Sequence, residues 1–241
     1  QYFLNPANHQ PGIPLDYISY HFYAVPPSNH TIADWQYDLF QQSDQFLTTV
    51  RSVETIRKKL APQTKTDIDE LGTILPTDAP PAVGVAPPPA YWNLSGAVYA
   101  YLFVELARLQ IDIVGESQLV GFPTQYPTVS MMDWTTNKPN ARFWVVKLLQ
   151  DTLHPGDRMV ETDLTVPNAT DLEAQAFLTA AGRKLLLVNK RDVATDVPLP
   201  DAESATALTV DLQSGEGPAR TVTPSDGAIT LQPFAVTVVS W

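Results

Sequence analysis

Leu15–Tyr23 has the sequence LDYISYHFY, a run of aromatic and β-branched residues with the length of one strand. A polar loop and then a segment of helical periodicity follow it. This strand therefore opens a strand–helix unit, and the repetition of such units decides the fold class. Because side chains alternate across a strand, four of its side chains are expected to share one face: Tyr17, Ser19, His21 and Tyr23.

Two further strand–helix units follow the first. Repeated alternation of strand and helix implies a parallel sheet. No glycine fingerprint follows any of the strands, so nucleotide binding has no support. A proline-rich loop, Pro76–Pro89, has the length of a binding loop. The predicted helices are Asp34–Leu60, Asn93–Gln110 and Pro139–Leu153, and the other extended segments are Lys65–Glu70, Ile111–Gly115 and Val129–Trp134.

The pattern changes after Pro155. Short β-type segments separated by turns rich in Gly, Pro, Asp and Ser indicate an antiparallel β-sandwich. The sequence therefore predicts two domains, residues 1–155 and 156–241. The strands predicted in the second are Arg158–Val166, Ala174–Ala181, Lys184–Asn189, Ala207–Leu212, Ala228–Leu231 and Ala235–Trp241.

A (β/α)₈ barrel explains residues 1–155 better than a doubly wound sheet, because each strand ends in polar or aromatic residues. Active sites of such barrels lie at the carboxyl ends of the strands. A complete barrel needs about 250 residues, so this segment corresponds to the last three units, about strands 6–8. Three units alone leave two open sheet edges and an uncovered interior. Another chain or segment is therefore expected to complete the barrel.

Composition excludes several classes of function. The formal net charge is −11, which disfavours nucleic acid and anionic lipid as partners. No apolar run reaches the roughly 18 residues of a membrane span, so insertion into a membrane is not expected. The chain has no cysteine, which excludes disulfides, thiolate metal sites and cysteine nucleophiles. No spacing of histidines or carboxylates suggests a metal site, and no cofactor is expected.

Three Asn-X-Ser/Thr sequons begin at Asn29, Asn93 and Asn168. Together they predict a secreted glycoprotein, although Asn93 could instead cap a helix. The isoelectric point near 4.6 fits an extracellular or lysosome-like acidic compartment. The chain begins with Gln1 rather than Met, which predicts either a processed or an artificially defined end.

Four segments occur in the order expected of one enzyme family. Together they resemble the C-terminal half of glycoside hydrolase family 39, the clan A group that contains β-xylosidase and α-L-iduronidase. The resemblance covers nearly the whole chain, including the trailing β-domain, and LDYISYH looks like the sixth barrel strand. The segments are Ile13–Ala24 (IPLDYISYHFYA), Thr66–Pro76 (TDIDELGTILP), Tyr91–Gly115 (YWNLSGAVYAYLFVELARLQIDIVG) and Val129–Leu149 (VSMMDWTTNKPNARFWVVKLL).

The resemblance implies a retaining glycosidase with two catalytic glutamates. The family's nucleophile ends the seventh strand, and Glu70 occupies that position. The acid/base belongs to an Asn-Glu dipeptide ending the fourth strand, and this chain contains no Asn-Glu. An N-terminal chain or segment is therefore expected to supply it, and proteolytic maturation would make the protein a two-chain heterodimer. A truncated chain is equally compatible with the sequence.

Retaining hydrolysis needs two carboxyl groups about 5–5.5 Å apart. Asp69 is the local alternative to Glu70, but strand alternation points it away if Glu70 faces inward. A second hypothesis is an inactive carbohydrate-binding or structural glycoprotein with the same fold, which would also lack the acid/base. For each further candidate, core packing or solvent exposure is the alternative to contact with a carbohydrate substrate. These substrate-binding candidates are His21, Tyr23, Trp92, Glu116 and Gln118.

Overall fold

The computed structural model of the chain describes residues 2–78, 85–120 and 126–241. Part of the predicted proline-rich loop, residues 79–84, lies outside them. Three strand–helix units come first, as the sequence alternation predicts. None of the helices in the described residues is long and apolar enough to cross a membrane. The units are β1 Tyr17–Ala24, α1 Ile32–Leu60, β2 Lys65–Thr73, α2 Ala90–Arg108, β3 Ile113–Glu116 and α3 Ala141–Thr152.

The first three strands form a parallel sheet in the order β1-β2-β3. One face packs against the helices, and Phe22 of β1 stacks on Phe46 of α1 with ring centroids 4.3 Å apart. Residues of β1 that point the other way, Tyr17, Ser19 and His21, are exposed. In the described part of the chain this sheet does not close into a barrel, so one face and two edges are open.

β2 carries an irregularity close to its carboxyl end. Ser19 pairs with Asp67, but two residues later His21 pairs with Glu70 rather than Asp69. The ladder between β2 and β3 shifts over the same residues of β2. The central strand therefore has one residue more than its neighbours there, which is a β-bulge, and it breaks the alternation of side chains.

The remaining strands are antiparallel. A six-stranded sheet has the order β4-β5-β6-β11-β8-β9, and β10 pairs with β7 in a small second sheet. The predicted change to antiparallel β-structure is confirmed, although the sequence analysis missed β7 and β9. These strands are β4 Arg158–Val160, β5 Leu172–Thr179, β6 Gly182–Asn189, β7 Thr195–Pro198, β8 Thr206–Val210, β9 Arg220–Val222, β10 Ala228–Leu231 and β11 Val236–Ser240.

The extended segment predicted at Val129–Trp134 is wrong. These residues form turns, with isolated bridges from Met132 to Val120 and Pro139. The helix that follows begins at Ala141 rather than Pro139, because Asn140 caps it: the Asn140 side chain accepts a hydrogen bond from the Arg142 backbone N–H at 3.1 Å.

The two parts of the chain share one hydrophobic core. The six-stranded sheet presents one face to α2 and α3 and the other to the small sheet. Arg108 at the end of α2 adds polar contacts across the junction, to Glu173 at 2.7 Å and to the Gln175 side chain at 2.8 Å. The residues that the β-structure contributes to the shared core are Phe177, Leu186, Val188, Val210, Phe234, Val236 and Val238.

Candidate active site

Four polar side chains meet in the carboxyl-terminal halves of β1 and β2. The Tyr23 hydroxyl donates to Glu70 Oε2 at 2.7 Å. His21 lies between two carboxylates, with Nδ1 3.4 Å from Glu70 Oε2 and Nε2 3.2 Å from Asp69 Oδ1. All four side chains lie at the carboxyl end of the parallel sheet, where α/β folds bind ligands. The structure thus brings together three of the site residues that the sequence predicts: His21, Tyr23 and Glu70.

Asp69 departs from its expected position. Alternation predicts that it points away from Glu70, yet both side chains contact His21. The β-bulge in β2 is the reason, because one extra residue in the central strand moves two successive side chains to the same side. The site therefore has two adjacent carboxylates where the sequence predicts one.

Tyr23 is held in its hydrogen bond by its surroundings. Its hydroxyl also lies within hydrogen-bond distance of the Ser117 hydroxyl, just beyond β3. Burial, together with the nearby Glu70 and Glu116 carboxylates, raises the pKa of Tyr23 to about 12. The phenol therefore stays protonated at physiological pH and can donate a hydrogen bond to Glu70. Gly72 leaves space for the ring, since a Cβ there would lie 3.0 Å from Tyr23 Cε1.

The cluster is open to solvent on the uncovered face of the sheet. The side chains of His21, Asp69 and Glu70 are 51%, 38% and 43% exposed. A carboxylate in this position is accessible to a ligand while its orientation is restrained by Tyr23 and His21. Such a group can attack an electrophilic carbon or accept a proton from a bound hydroxyl.

Glu116, another predicted substrate-binding residue, occupies a different environment. Its side chain is only 10% exposed and accepts a hydrogen bond from Arg142 Nη2 at 2.6 Å. Arg142 is fully buried and also donates to the Tyr99 hydroxyl at 2.8 Å and to the Thr128 carbonyl at 3.1 Å. Burial raises the pKa of Glu116, against the lowering effect of the Arg142 charge. The structure thus places Glu116 in a buried ion pair behind the open cluster.

Gln118 and Trp92 also lie apart from Glu70. The Gln118 side-chain oxygen is 3.5 Å from the Ser130 hydroxyl in the loop after β3. Trp92, in the first turn of α2, lines a separate pocket whose lining includes neither Tyr23 nor Glu70. Both remain predicted substrate contacts, but they belong to a neighbouring surface.

The three sequons differ in accessibility. Asn29 and Asn168 lie at the surface. Asn93 is inside α2 with only 3% of its surface exposed. The predicted glycosylation of Asn93 is therefore wrong for the folded chain, because a glycan needs a solvent-exposed amide nitrogen. Asn29 and Asn168 stay predicted glycosylation sites.

Sequence reasoning missed Ser117 and Arg142. Ser117 gave no signal, since its role depends on β3 lying beside β2. Arg142 gave a weak signal, because it lies among apolar residues of a predicted helix. A cation that is buried with such residues needs a partner of opposite charge. No group of three or more potential metal ligands occurs within the described ranges.

Sequence comparison finds a match to one part of the chain. Residues 169–239 match the family described as D-apionate lactonase, C-terminal immunoglobulin-like domain. This span covers β5 to β11, so it describes the β-domain and not the part that carries Glu70. No curated protein matches the chain.

Several solved structures share the fold over most of the chain. An arabinofuranosidase has a TM-score of 0.65 at 17% identity, over 93% of this chain and 52% of its own. The α-L-arabinofuranosidase of Thermotoga maritima has a TM-score of 0.57 at 19% identity, over 94% and 52%. A family 30 endoxylanase from Clostridium papyrosolvens C71 has a TM-score of 0.51 at 11% identity, over 93% and 48%.

These similarities establish the fold and no more. The chain spans about half the length of each of these enzymes. Its architecture is therefore that of one part of larger glycoside hydrolases. Glycoside hydrolase families 30 and 51 are named among the matched structures.

Proposed function

We propose that this chain is the C-terminal part of a secreted retaining glycoside hydrolase related to family 39, and that Glu70 is its nucleophile. Glu70 Oε would attack the anomeric carbon of a bound sugar while the leaving oxygen takes a proton from an acid/base. Water would then cleave the glycosyl–enzyme ester. The observation that carries the proposal is the Tyr23–Glu70 hydrogen bond at the carboxyl end of the parallel sheet.

The surroundings of Glu70 suit a nucleophile. A donated hydrogen bond to a carboxylate is charge-assisted, and it fixes which oxygen lies free. Exposure of 43% of the side chain leaves room for a substrate on the same side. By contrast, Glu116 is buried against Arg142 and cannot reach that face without breaking the ion pair.

The acid/base would come from outside this chain. The uncovered face and the free edges of the three-stranded sheet offer a surface on which further strand–helix units would complete a barrel. The matched enzymes are about twice as long as this chain, which supports such a partner segment. The two domains proposed are residues 1–155, within the barrel, and 156–241, the β-domain.

A sugar lactonase is the second candidate, favoured only by the match of residues 169–239. Lactone hydrolysis breaks an ester rather than a glycosidic bond. The two activities can therefore be distinguished by assay, with aryl glycosides as substrates for a glycosidase and an aldonolactone as the substrate for a lactonase.

The test is mutation of Glu70 in the full-length protein that contains this chain. Glu70→Gln should lower kcat on aryl β-xyloside or aryl α-L-arabinofuranoside by about 10³-fold or more, because the nucleophile is lost. Azide added to Glu70→Ala should restore turnover and yield a glycosyl azide, since the small anion fits the vacated space. Asp69→Asn is the matched control, and it should retain far more activity.

Other outcomes would redirect the assignment. Loss of activity in Asp69→Asn but not in Glu70→Gln would transfer the role of nucleophile to Asp69. Hydrolysis of an aldonolactone without any glycosidase activity would favour the lactonase. Binding of oligosaccharides without turnover of any of these substrates would favour the inactive carbohydrate-binding protein.

A further inference from the structure

A series of buried hydrogen bonds runs from α3 to the strand that carries Glu70. It begins at the guanidinium of Arg142, which donates from Nη2 to the Tyr99 hydroxyl of α2 at 2.8 Å. The Tyr99 hydroxyl in turn donates to the carbonyl oxygen of Leu71 in β2. Leu71 is the next residue after Glu70. The two helices are therefore connected to the backbone of β2 one residue beyond the candidate nucleophile.

The direction of these hydrogen bonds follows from the chemistry of Arg142. A guanidinium has only donors, so the Tyr99 hydroxyl must accept from it and has one proton of its own to donate. Burial raises the pKa of Tyr99, so this proton stays on the hydroxyl. The guanidinium also lies over the Tyr99 ring, 4.8 Å from its centroid, which restrains the ring. Arg142 thus orients the Tyr99 hydroxyl toward the Leu71 carbonyl.

Leu71 is the residue at which pairing with β3 resumes after the β-bulge. The ladder shifts between Ile68 and Leu71, and Leu71 then lies opposite Glu116. A bulge leaves its extra residue without a ladder partner, so the ladder alone holds this stretch weakly. The Ser117 backbone N–H also reaches the Leu71 carbonyl, but at 3.5 Å, which is long for a hydrogen bond. The Tyr99 hydroxyl therefore supplies the anchor that the ladder lacks at this point.

A second set of contacts leads from Arg142 to the same carboxylate. Arg142 Nη2 also donates to Glu116 Oε1 at 2.6 Å. Glu116 precedes Ser117, whose hydroxyl lies within hydrogen-bond distance of the Tyr23 hydroxyl. Tyr23 is the donor to Glu70. Arg142 therefore supports both the backbone beside Glu70 and the segment that contacts Tyr23.

We propose that Tyr99 is a positioning residue of the reaction and that Arg142 orients it. The inference rests on the proposed function. The Tyr99 hydroxyl holds the Leu71 carbonyl, which fixes how Glu70 leaves the bulged strand and keeps its Oε2 within reach of Tyr23. Tyr99 itself is buried and contacts no substrate. Because Leu71 and Tyr99 are 0% and 1% exposed, water cannot replace the bond between them when it is removed.

The first test is the kinetics of Tyr99→Phe in the full-length protein. This change removes the hydroxyl and keeps the ring over Arg142. We expect kcat on an aryl glycoside to fall about three- to tenfold and KM to stay within about twofold, since one hydrogen bond is lost and no substrate contact changes. Tyr101→Phe is the matched control. It removes another buried tyrosine hydroxyl of α2, but one that donates to Asp44 of α1, so kcat should not change.

A double-mutant cycle separates positioning of Glu70 from a general effect on the fold. When azide is the nucleophile in Glu70→Ala, there is no carboxylate to position. Adding Tyr99→Phe should therefore leave the azide-supported rate unchanged. An equal loss with and without the Glu70 carboxylate would refute the proposal, because Tyr99 would then act on the fold as a whole. Unchanged kcat in folded Tyr99→Phe would refute it as well.

A crystal structure of full-length Tyr99→Phe tests the proposal without any assay. The Tyr23 hydroxyl and Glu70 Oε2, which are 2.7 Å apart in the parent chain, should separate beyond about 3.5 Å. An unchanged distance would overturn the proposal. Failure of the proposed function is distinguishable, because it is read from unchanged turnover in Glu70→Gln, whereas this distance does not depend on activity.

A second variant keeps the proposal testable if Tyr99→Phe does not fold. Arg142→Lys retains a positive charge beside Glu116, but one ammonium nitrogen cannot reproduce the planar fork that also reaches Tyr99. The same separation of Tyr23 and Glu70 is expected in its crystal structure. A folded Arg142→Lys protein with the parent distance would contradict the role given to Arg142.

Discussion

The hydroxyl of Tyr23 is the group on which the position of Glu70 most depends. It is neutral, because burial and the neighbouring carboxylates raise its pKa to about 12. It donates to the same Glu70 oxygen that His21 approaches. One oxygen of Glu70 therefore takes both contacts, and the other is left for chemistry.

Tyr23→Phe removes this donor and keeps the ring. We expect kcat of the full-length protein to fall about 10–100-fold, since a hydrogen bond to a charged group contributes about 1.5–3 kcal/mol. KM should change little, because the hydroxyl contacts the carboxylate rather than the sugar. Steady-state kinetics with an aryl glycoside measures both constants.

Ser117→Ala provides the comparison for Tyr23→Phe. It removes the second contact of the Tyr23 hydroxyl but leaves the bond to Glu70 in place. Its kcat should therefore fall less. Equal losses in the two variants would mean that the Tyr23–Glu70 bond does not position the carboxylate.

The bulge in β2 is the structural element that produces the double carboxylate. Gly115 of β3 lies against it, because a Cβ at Gly115 would be 2.7 Å from the Asp69 carbonyl oxygen. That oxygen belongs to the backbone and cannot rotate away. A glycine on the neighbouring strand is thus required for β3 to approach β2 at the bulge.

Gly115→Ala should therefore push β3 away from β2 at Asp69. We expect a loss of about 1–3 kcal/mol in the free energy of unfolding, as for other overpacked sites. Activity should fall as well, because the displacement is at Asp69, and Glu70 is the next residue in β2. Thermal unfolding and kcat measure the two effects.

Gly96→Ala is the comparison, since its Cβ would lie 2.9 Å from Val145 Cγ2 and 3.6 Å from the Ala141 carbonyl oxygen, where α2 packs against α3. This crowding involves neither Asp69 nor Gly115. Stability should therefore fall, while kcat should stay close to that of the parent protein. Unchanged kcat in Gly115→Ala would contradict the link between this glycine and Glu70.

A buried ion pair within α1 is linked to β2 by a hydrogen bond. Glu54 and Arg57 are 4% and 7% exposed, their nearest side-chain atoms are 2.6 Å apart, and Thr66 also donates to Glu54. Burial alone would raise the pKa of Glu54, but the hydrogen bonds and charge of its partners lower it below the ordinary value of 4.5. The folded state therefore binds this proton less readily than the unfolded state.

Glu54→Gln should cost about 3–5 kcal/mol near pH 7, because it leaves Arg57 buried without a counter-ion. Because the pKa of Glu54 is lower in the folded state, its charge stabilises the fold at a pH above its pKa in the unfolded state. This contribution disappears as the pH falls through its pKa in the folded state. The stability gap between parent and variant should thus narrow below about pH 4.5. Urea unfolding from pH 7 to pH 3 measures it, and a gap independent of pH would contradict the assignment.

The chain as a unit depends on the core that the β-domain shares with α2 and α3. Residues 156–241 alone would expose the apolar face of the six-stranded sheet, including Phe177, Leu186 and Val238. We expect that fragment to associate and to bind a hydrophobic dye. Sedimentation and dye fluorescence measure the two effects. The strands of the fragment should still pair as they do in the whole chain.

The control for the fragment replaces two residues of the exposed face. Leu186 and Val238 are cross-strand partners on β6 and β11. Leu186→Lys with Val238→Lys should give a monomer with the same β-rich circular dichroism. A monomeric, dye-free fragment without these substitutions would show that the shared face is not needed to keep the β-domain soluble.

Local pattern was sufficient for the three strand–helix units and for the change to β-structure after them. Helical periodicity marks α1 and α2, and turn residues mark the change after Pro155, since both signals lie within a few neighbouring residues. The strands β7 and β9 were missed because they are only four and three residues long. A run that short has too few side chains to show a period.

Chain periodicity alone determined the strand–helix order and placed Glu70 on the second strand, although β2 continues for three residues beyond the predicted end at Glu70. Tertiary structure decided which side chains share the site. The bulge brings Asp69 beside Glu70, Arg142 withdraws Glu116 into the interior, and helix packing buries Asn93. The physical reason is that strand register and helix rotation depend on contacts between residues far apart in the sequence, such as Asp69 with Gly115, and no local pattern contains them.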